Sequence, residues 1–135
     1  MNEQPETIVW HHLRFKLERQ GAYVQKTAGS LLQKGILDLI VVTNRIITVE
    51  VKVSGRHKKS ERTWKQLGLS GLQDERIRET CARVPRGACC IGGHPELMDG
   101  TWGLYVPDPT DPLNRYANYY RIALGIEEVL AWLLT

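Results

Sequence analysis

The chain has 135 residues, of which 42% are hydrophobic and 24% charged, with a formal net charge of +3. This is the make-up of one ordinary globular domain over 1–135, large enough for a core and too short for two. No stretch approaches the roughly 20 apolar residues of a membrane-spanning helix, so no membrane partner is expected.

The opening "MNEQPETIVW" has no basic segment followed by an apolar one, and a cytoplasmic location is the expectation. Pro5 suits the start of a helix, and Ile8, Val9, Leu13 and Leu17, with Trp10 nearby, repeat at helical spacing. Gly21 is a natural stop for that helix. "AYVQKTA" then reads as a short strand and "GSLLQKG" as a loop.

"DLIVV" and "IITVEVKV" read as the two strands of a hairpin turning through Thr43, Asn44 and Arg45. Burial requires Leu39 and Val41 to share a face with Ile47, Val49, Val51 and Val53. Pairing Leu39 with Val49 and Val41 with Ile47 achieves this. In that register Asp38 stands opposite Glu50, with Cβ atoms about 5 Å apart. Lys52 projects from the same face one pleat further on. The charges of the hairpin are thereby gathered.

A second helix is expected to begin near Ser70 in "LSGLQDERIRETCARV", with Leu72, Ile77, Cys81 and Val84 on its inner side. "RGACCIGG" reads as a strand. Residues 93–120 form an excursion rich in Gly, Pro and Asp, with "TWGLYV" expected to make a strand inside it. "GIEEVLAWLL" closes the chain as an apolar helix. The succession implies an α/β fold, a mixed sheet flanked by helices.

Cys81, Cys89 and Cys90 are odd in number and contain no CxxC pair, which argues against a disulfide framework and a zinc site. Cys89 and Cys90 read as small strand residues in a reducing compartment. The four histidines lack metal-site spacing and receive no role. Between Lys52 and Lys65, six Lys or Arg residues stand against one Glu, while residues 96–111 are acidic. A basic patch of this kind suggests a polyanionic partner.

Two opposed carboxylates repel unless a cation bridges them. A hard cation such as Mg²⁺ takes carboxylate, carbonyl, water and phosphate oxygens, so Asp38, Glu50 and the Val51 carbonyl form a candidate ligand set. Such an ion can lower the pKa of a bound water and stabilise a phosphodiester under attack, with Lys52 holding the water or neutralising developing charge. The same residues are also compatible with the solvated outer face of an edge hairpin, and the isolated spacing does not separate the two.

"KGILD", "EVK", "LSGLQ" and the closing helix, in that order, resemble the motifs of the PD-(D/E)xK nuclease superfamily, and within it the VRR-NUC group. Leu37 stands where the group's G-x-P-D motif has proline. The resemblance implies a restriction-endonuclease-like α/β/α sandwich in which Asp38, Glu50, Lys52 and Gln73 are catalytic and Mg²⁺ or Mn²⁺ is the cofactor. It adds Glu6 to the candidate metal ligands, with Glu3 as a substitute, and it leaves Gln66 as the competitor of Gln73. Residues 93–120 look like an insertion. The basic stretch would then lie beside the metal, with Lys34, Arg56, Lys58, Lys59, Arg62 and Lys65 on DNA phosphates, which carry affinity without base identity.

The resemblance further implies a homodimeric endonuclease acting on branched DNA, with Holliday junctions as the most concrete substrate, in a bacterial or phage-infected cell. Flaps, nicks or plain duplex are alternative substrates. A non-catalytic nucleic-acid-binding module is the rival of a different class. Trp102, Tyr105, Tyr119 and Tyr120 are open to two readings, stacking on unpaired bases or packing a local core.

Overall fold

The computed structural model describes residues 5–27, 37–53, 63–93 and 102–135, and for Pro5 and Glu6 the backbone alone. Helix α1 runs over Pro5–Arg19. Val9, Leu13 and Leu17, one helical turn apart, are wholly buried, and Gly21 ends the helix in the left-handed region at φ 91°. Strands β1 (Tyr23–Lys26), β2 (Leu39–Val42) and β3 (Ile46–Val53) follow, then α2 (Gly71–Arg83) and β4 (Ala88–Gly93). The described chain finishes with β5 (Gly103–Val106), β6 (Tyr120–Leu124) and α3 (Gly125–Leu134).

The six strands form one sheet in sequential order from β1 to β6. Only β3 and β4 run parallel; the other neighbours are antiparallel. A parallel pair needs a crossover, and the segment containing α2 supplies it. The hairpin has the register required by burial, with Leu39 opposite Val49 and Val41 opposite Ile47. Its loop of Thr43, Asn44 and Arg45 is closed by the Thr43 amide donating to the Arg45 carbonyl at 2.9 Å.

Helices α1 and α3 cover one face of the sheet over Leu39, Val41, Ile47, Val49, Val51, Ile91 and Leu104. Helix α2 packs on β4 over the other, where Leu67, Leu69, Ile77, Ala88, Cys90, Tyr105 and Tyr119 form a second core. Cys89 and Cys90 illustrate the period of two: the first joins the α1/α3 core and the second the α2 core. Both are free thiols, and burial pushes the Cys89 thiol well above its ordinary range. The result is the expected α/β/α sandwich.

Two details differ from the expectation, and a third decides between two open readings. Leu72 and Val84 are 44% and 52% exposed, and the inner side of α2 is Asp74, Ile77 and Arg78 with half-buried Cys81. A buried Asp–Arg pair one turn apart displaces the apolar stripe. Strand β6 was not anticipated, because its Tyr120, Ile122 and Leu124 are exposed on a sheet edge and run into the apolar α3 without a break. Trp102, Tyr105 and Tyr119 are buried in the cores, so they pack the interior and are not free to stack on bases.

Gly93 and Trp102 show how tightly the β4 end is packed. A Cβ at Gly93 would overlap the Cε3 and Cδ2 atoms of the buried Trp102 ring. Gly93→Ala is therefore expected to destabilise the fold by about 1–3 kcal/mol, read from chemical denaturation.

Candidate active site

Asp38 lies one residue before β2, where the β2–β3 ladder ends. Thr27 fixes this corner: its amide donates to the Asp38 carbonyl at 2.9 Å and its hydroxyl to the Leu37 carbonyl at 2.7 Å. The Asp38 carboxylate then accepts from the Val51 amide at 3.0 Å. A side chain thus continues the ladder across to β3 and aims the carboxylate at the Glu50–Val51–Lys52 segment. Its other oxygen, Oδ1, lies 3.5 Å from Lys26 Nζ, whose ammonium stands over the Trp10 ring of α1.

Glu50 is only 1% exposed. β3 has a strand on each side, so the hairpin is central to the sheet, and the solvated edge-hairpin reading does not apply. A carboxylate removed from water requires charge and hydrogen-bond compensation. The compensation is local: Gln73 Nε2 donates to Glu50 Oε1 at 2.9 Å, and Lys52 Nζ lies 3.7 Å from the same oxygen.

Gln73 reaches Glu50 because the start of α2 is fixed. Ser70 is the N-cap, its hydroxyl accepting from the Gln73 amide at 3.1 Å. The Gln73 side-chain oxygen accepts from the Ser70 amide at 2.9 Å, completing a capping box. The Gln73 amide group therefore has one end on the helix cap and the other on Glu50. Gln66 makes the equivalent contact with Thr63 in the preceding turn, its Oε1 accepting from the Thr63 amide at 3.0 Å.

Lys52 and Gln73 thus contact Glu50 directly, and Asp38 joins them through the Val51 amide. Sequence reasoning missed Lys26, the cation beside Asp38. Its signal was weak: a lysine at a strand end, in register with Leu39 next to Asp38. Glu3, Lys34, Arg56, Lys58, Lys59 and Arg62 lie outside the described residues, as does the Glu6 side chain; Lys65 is described and is exposed.

Among the described residues no group of three or more His, Cys, Asp or Glu side chains is gathered for a metal. The set here is two carboxylates and a strand carbonyl, all hard oxygen donors. It fits Mg²⁺ or Mn²⁺, which typically take one or two carboxylates and leave the remaining positions to water and phosphate oxygens. Each carboxylate already has a lysine beside it, so a divalent ion would compete with Lys26 and Lys52 for the same oxygens.

This architecture, a mixed six-stranded sheet between two helical layers, is a restriction-endonuclease-like fold. Among solved structures, it is similar to Hjc of Archaeoglobus fulgidus, a Holliday junction resolvase from an archaeal hyperthermophile, with a TM-score of 0.56 at 20% identity. The likeness covers 92% of this chain and 98% of that one. No family model and no curated protein sequence matches the chain.

The contacts of Gln73 separate its two roles. Ser70→Ala should cost about 0.5–2 kcal/mol through the lost cap. Gln73→Ala should cost more, because it also strips buried Glu50 of a donor, which adds about 1–3 kcal/mol. Urea denaturation of the two variants side by side checks the order.

Proposed function

We propose that the chain is a metal-dependent DNA endonuclease of the VRR-NUC type, selective for branched structure, with Holliday junctions as its substrate. One observation carries the reading: a deeply buried glutamate on the central strand is brought together with an aspartate, a lysine and a glutamine. The resolvase-like fold supports it. A binding module gains nothing from burying that carboxylate, whereas phosphodiester hydrolysis needs charge concentrated at one point.

In this reading Asp38, Glu50 and the Val51 carbonyl hold Mg²⁺ or Mn²⁺, with Glu6 as a further ligand. When bound, the ion supplies Lewis acidity to the phosphodiester and lowers the pKa of a coordinated water. Lys52 orients the attacking water and offsets charge on the phosphate in the transition state. Gln73 positions Glu50, and Lys26 sets the orientation of Asp38. Lys34, Arg56, Lys58, Lys59, Arg62 and Lys65 contact DNA phosphates along the approach to the site.

The whole of 1–135 acts as one nuclease domain, with residues 93–120 as an insertion into it. Two copies related by a two-fold axis match the symmetry of a four-way junction, whose two scissile strands are equivalent. The exposed apolar row of Tyr120, Ile122 and Leu124 on edge strand β6 supports such pairing.

Cleavage of a labelled four-way junction, with flap and linear duplex controls, tests this in Mg²⁺, in Mn²⁺ and in EDTA. Paired symmetric nicks that require metal are expected, with Lys52→Ala slower by about 10²–10⁴-fold. Metal-dependent cutting of all three DNAs alike would keep the nuclease and remove the junction. Binding without cutting in either metal would refute the catalytic reading.

A further inference from the structure

A pocket adjoins the first turn of α2, with a volume of about 440 Å³, lined by Thr63, Trp64, Lys65, Arg115, Tyr116 and Ala117. We infer that it seats an unpaired nucleotide of the DNA, its base on Tyr116 and its phosphate on Arg115 and Lys65. The identity of the ligand as DNA rests on the nuclease reading above.

Tyr116 is the first argument. It is 98% exposed, so a large ring stands in water with no packing reason to be there. Yet its backbone is held: the Tyr116 amide donates to Asn114 Oδ1 at 3.0 Å, and the Ala117 amide to the Asn114 carbonyl at 3.0 Å. A ring presented by a fixed turn loses little freedom when a planar partner stacks on it, and every base has a face to offer.

The second argument is the cations. Lys65 Nζ and the Arg115 guanidinium each lie 5.4 Å from the centre of the Trp64 ring, at the edge of the α2-side core. Arg115 is oriented by Asp74, donating to Oδ2 at 3.1 Å, and by the Gly71 carbonyl at 3.4 Å. Two cations and two aromatic rings thus open on one space. A stacked base with its phosphate satisfies both chemistries. In duplex DNA the bases are already stacked, so only the cations would find a partner.

Third, the pocket is built rigidly onto the candidate active site. Buried Asp74 accepts from Arg78 Nε at 2.7 Å and from the Tyr119 hydroxyl at 2.7 Å. Arg78 donates onward to the carbonyls of Pro112 at 3.3 Å, Asn114 at 2.7 Å and Ala117 at 3.3 Å. Three carbonyls of the Tyr116 loop are therefore fixed to the helix whose Gln73 touches Glu50. A nucleotide held here would index the strand relative to the cleavage site.

The test is fluorescence anisotropy in EDTA with a short labelled oligothymidylate and a duplex of equal length. It compares wild type, Tyr116→Ala and Tyr116→Trp. Tyr116→Ala should weaken oligothymidylate binding about ten-fold, the loss expected of one base–ring stack, and Tyr116→Trp should retain it. Duplex binding should stay within about two-fold in both variants, because phosphate contacts persist. An unchanged oligothymidylate affinity in Tyr116→Ala, equal losses on both DNAs, or no wild-type binding to oligothymidylate would overturn the inference. The assay needs no metal and no cleavage, so an inactive protein that shows the ten-fold loss refutes the nuclease while leaving this pocket standing. An active nuclease indifferent to Tyr116 does the reverse.

Discussion

The burial of the Glu50 carboxylate governs this end of the molecule. An unpaired charge at that depth carries an effective penalty of several kcal/mol even after relaxation, so its surroundings must compensate it. Lys52 does so from the same strand face, two residues on, and Gln73 from the helix above. The capping box at Ser70 holds Gln73 in place, which makes the position of α2 over the sheet part of the same requirement. Asp38 is fixed from the other side by the Val51 amide. This concentration of charge is what the proposed divalent-ion site would draw on.

One residue after Gln73, the chain repeats the device with a second buried carboxylate. Buried Asp74 holds Arg78, Arg115 and Tyr119, and burial together with the Asp74 hydrogen bond pushes the Tyr119 phenol well above its ordinary range. Buried ion pairs contribute little net stability against apolar replacements, so registry is the better account of this one. It fastens the 112–119 loop to α2, and through α2 to Glu50. Two neighbouring residues of one helical turn thereby link the 112–119 loop to the hairpin.

Much of this was legible in the residues. The parity rule for a hairpin with one buried face brings Asp38 toward Glu50 and Lys52, and the structure has that register. Ser70-x-x-Gln73 is readable as a helix start because the spacing is set by capping geometry. What sequence could not show was depth. Whether Glu50 faces solvent depends on β4 and α2, which lie far along the chain. Asp74 and Arg78, one turn apart, have the spacing of an exposed salt bridge, and only their burial reveals a structural anchor. Lys26 and Asp38 are brought together by pairing of β1 with β2, which spacing alone does not specify. Strand β6 was hidden by its exposed apolar residues and its direct run into α3.

The central claim is that the hairpin carboxylates form a divalent-metal site, and calorimetric titration with Mn²⁺ in the absence of DNA tests it most directly. Asp38→Asn is the informative variant, since its side-chain oxygen can still accept from the Val51 amide while the charge is gone. The account predicts saturable Mn²⁺ uptake by the wild type and an affinity lower by more than about ten-fold in Asp38→Asn. No uptake by the wild type, or uptake indifferent to Asp38→Asn, would contradict it.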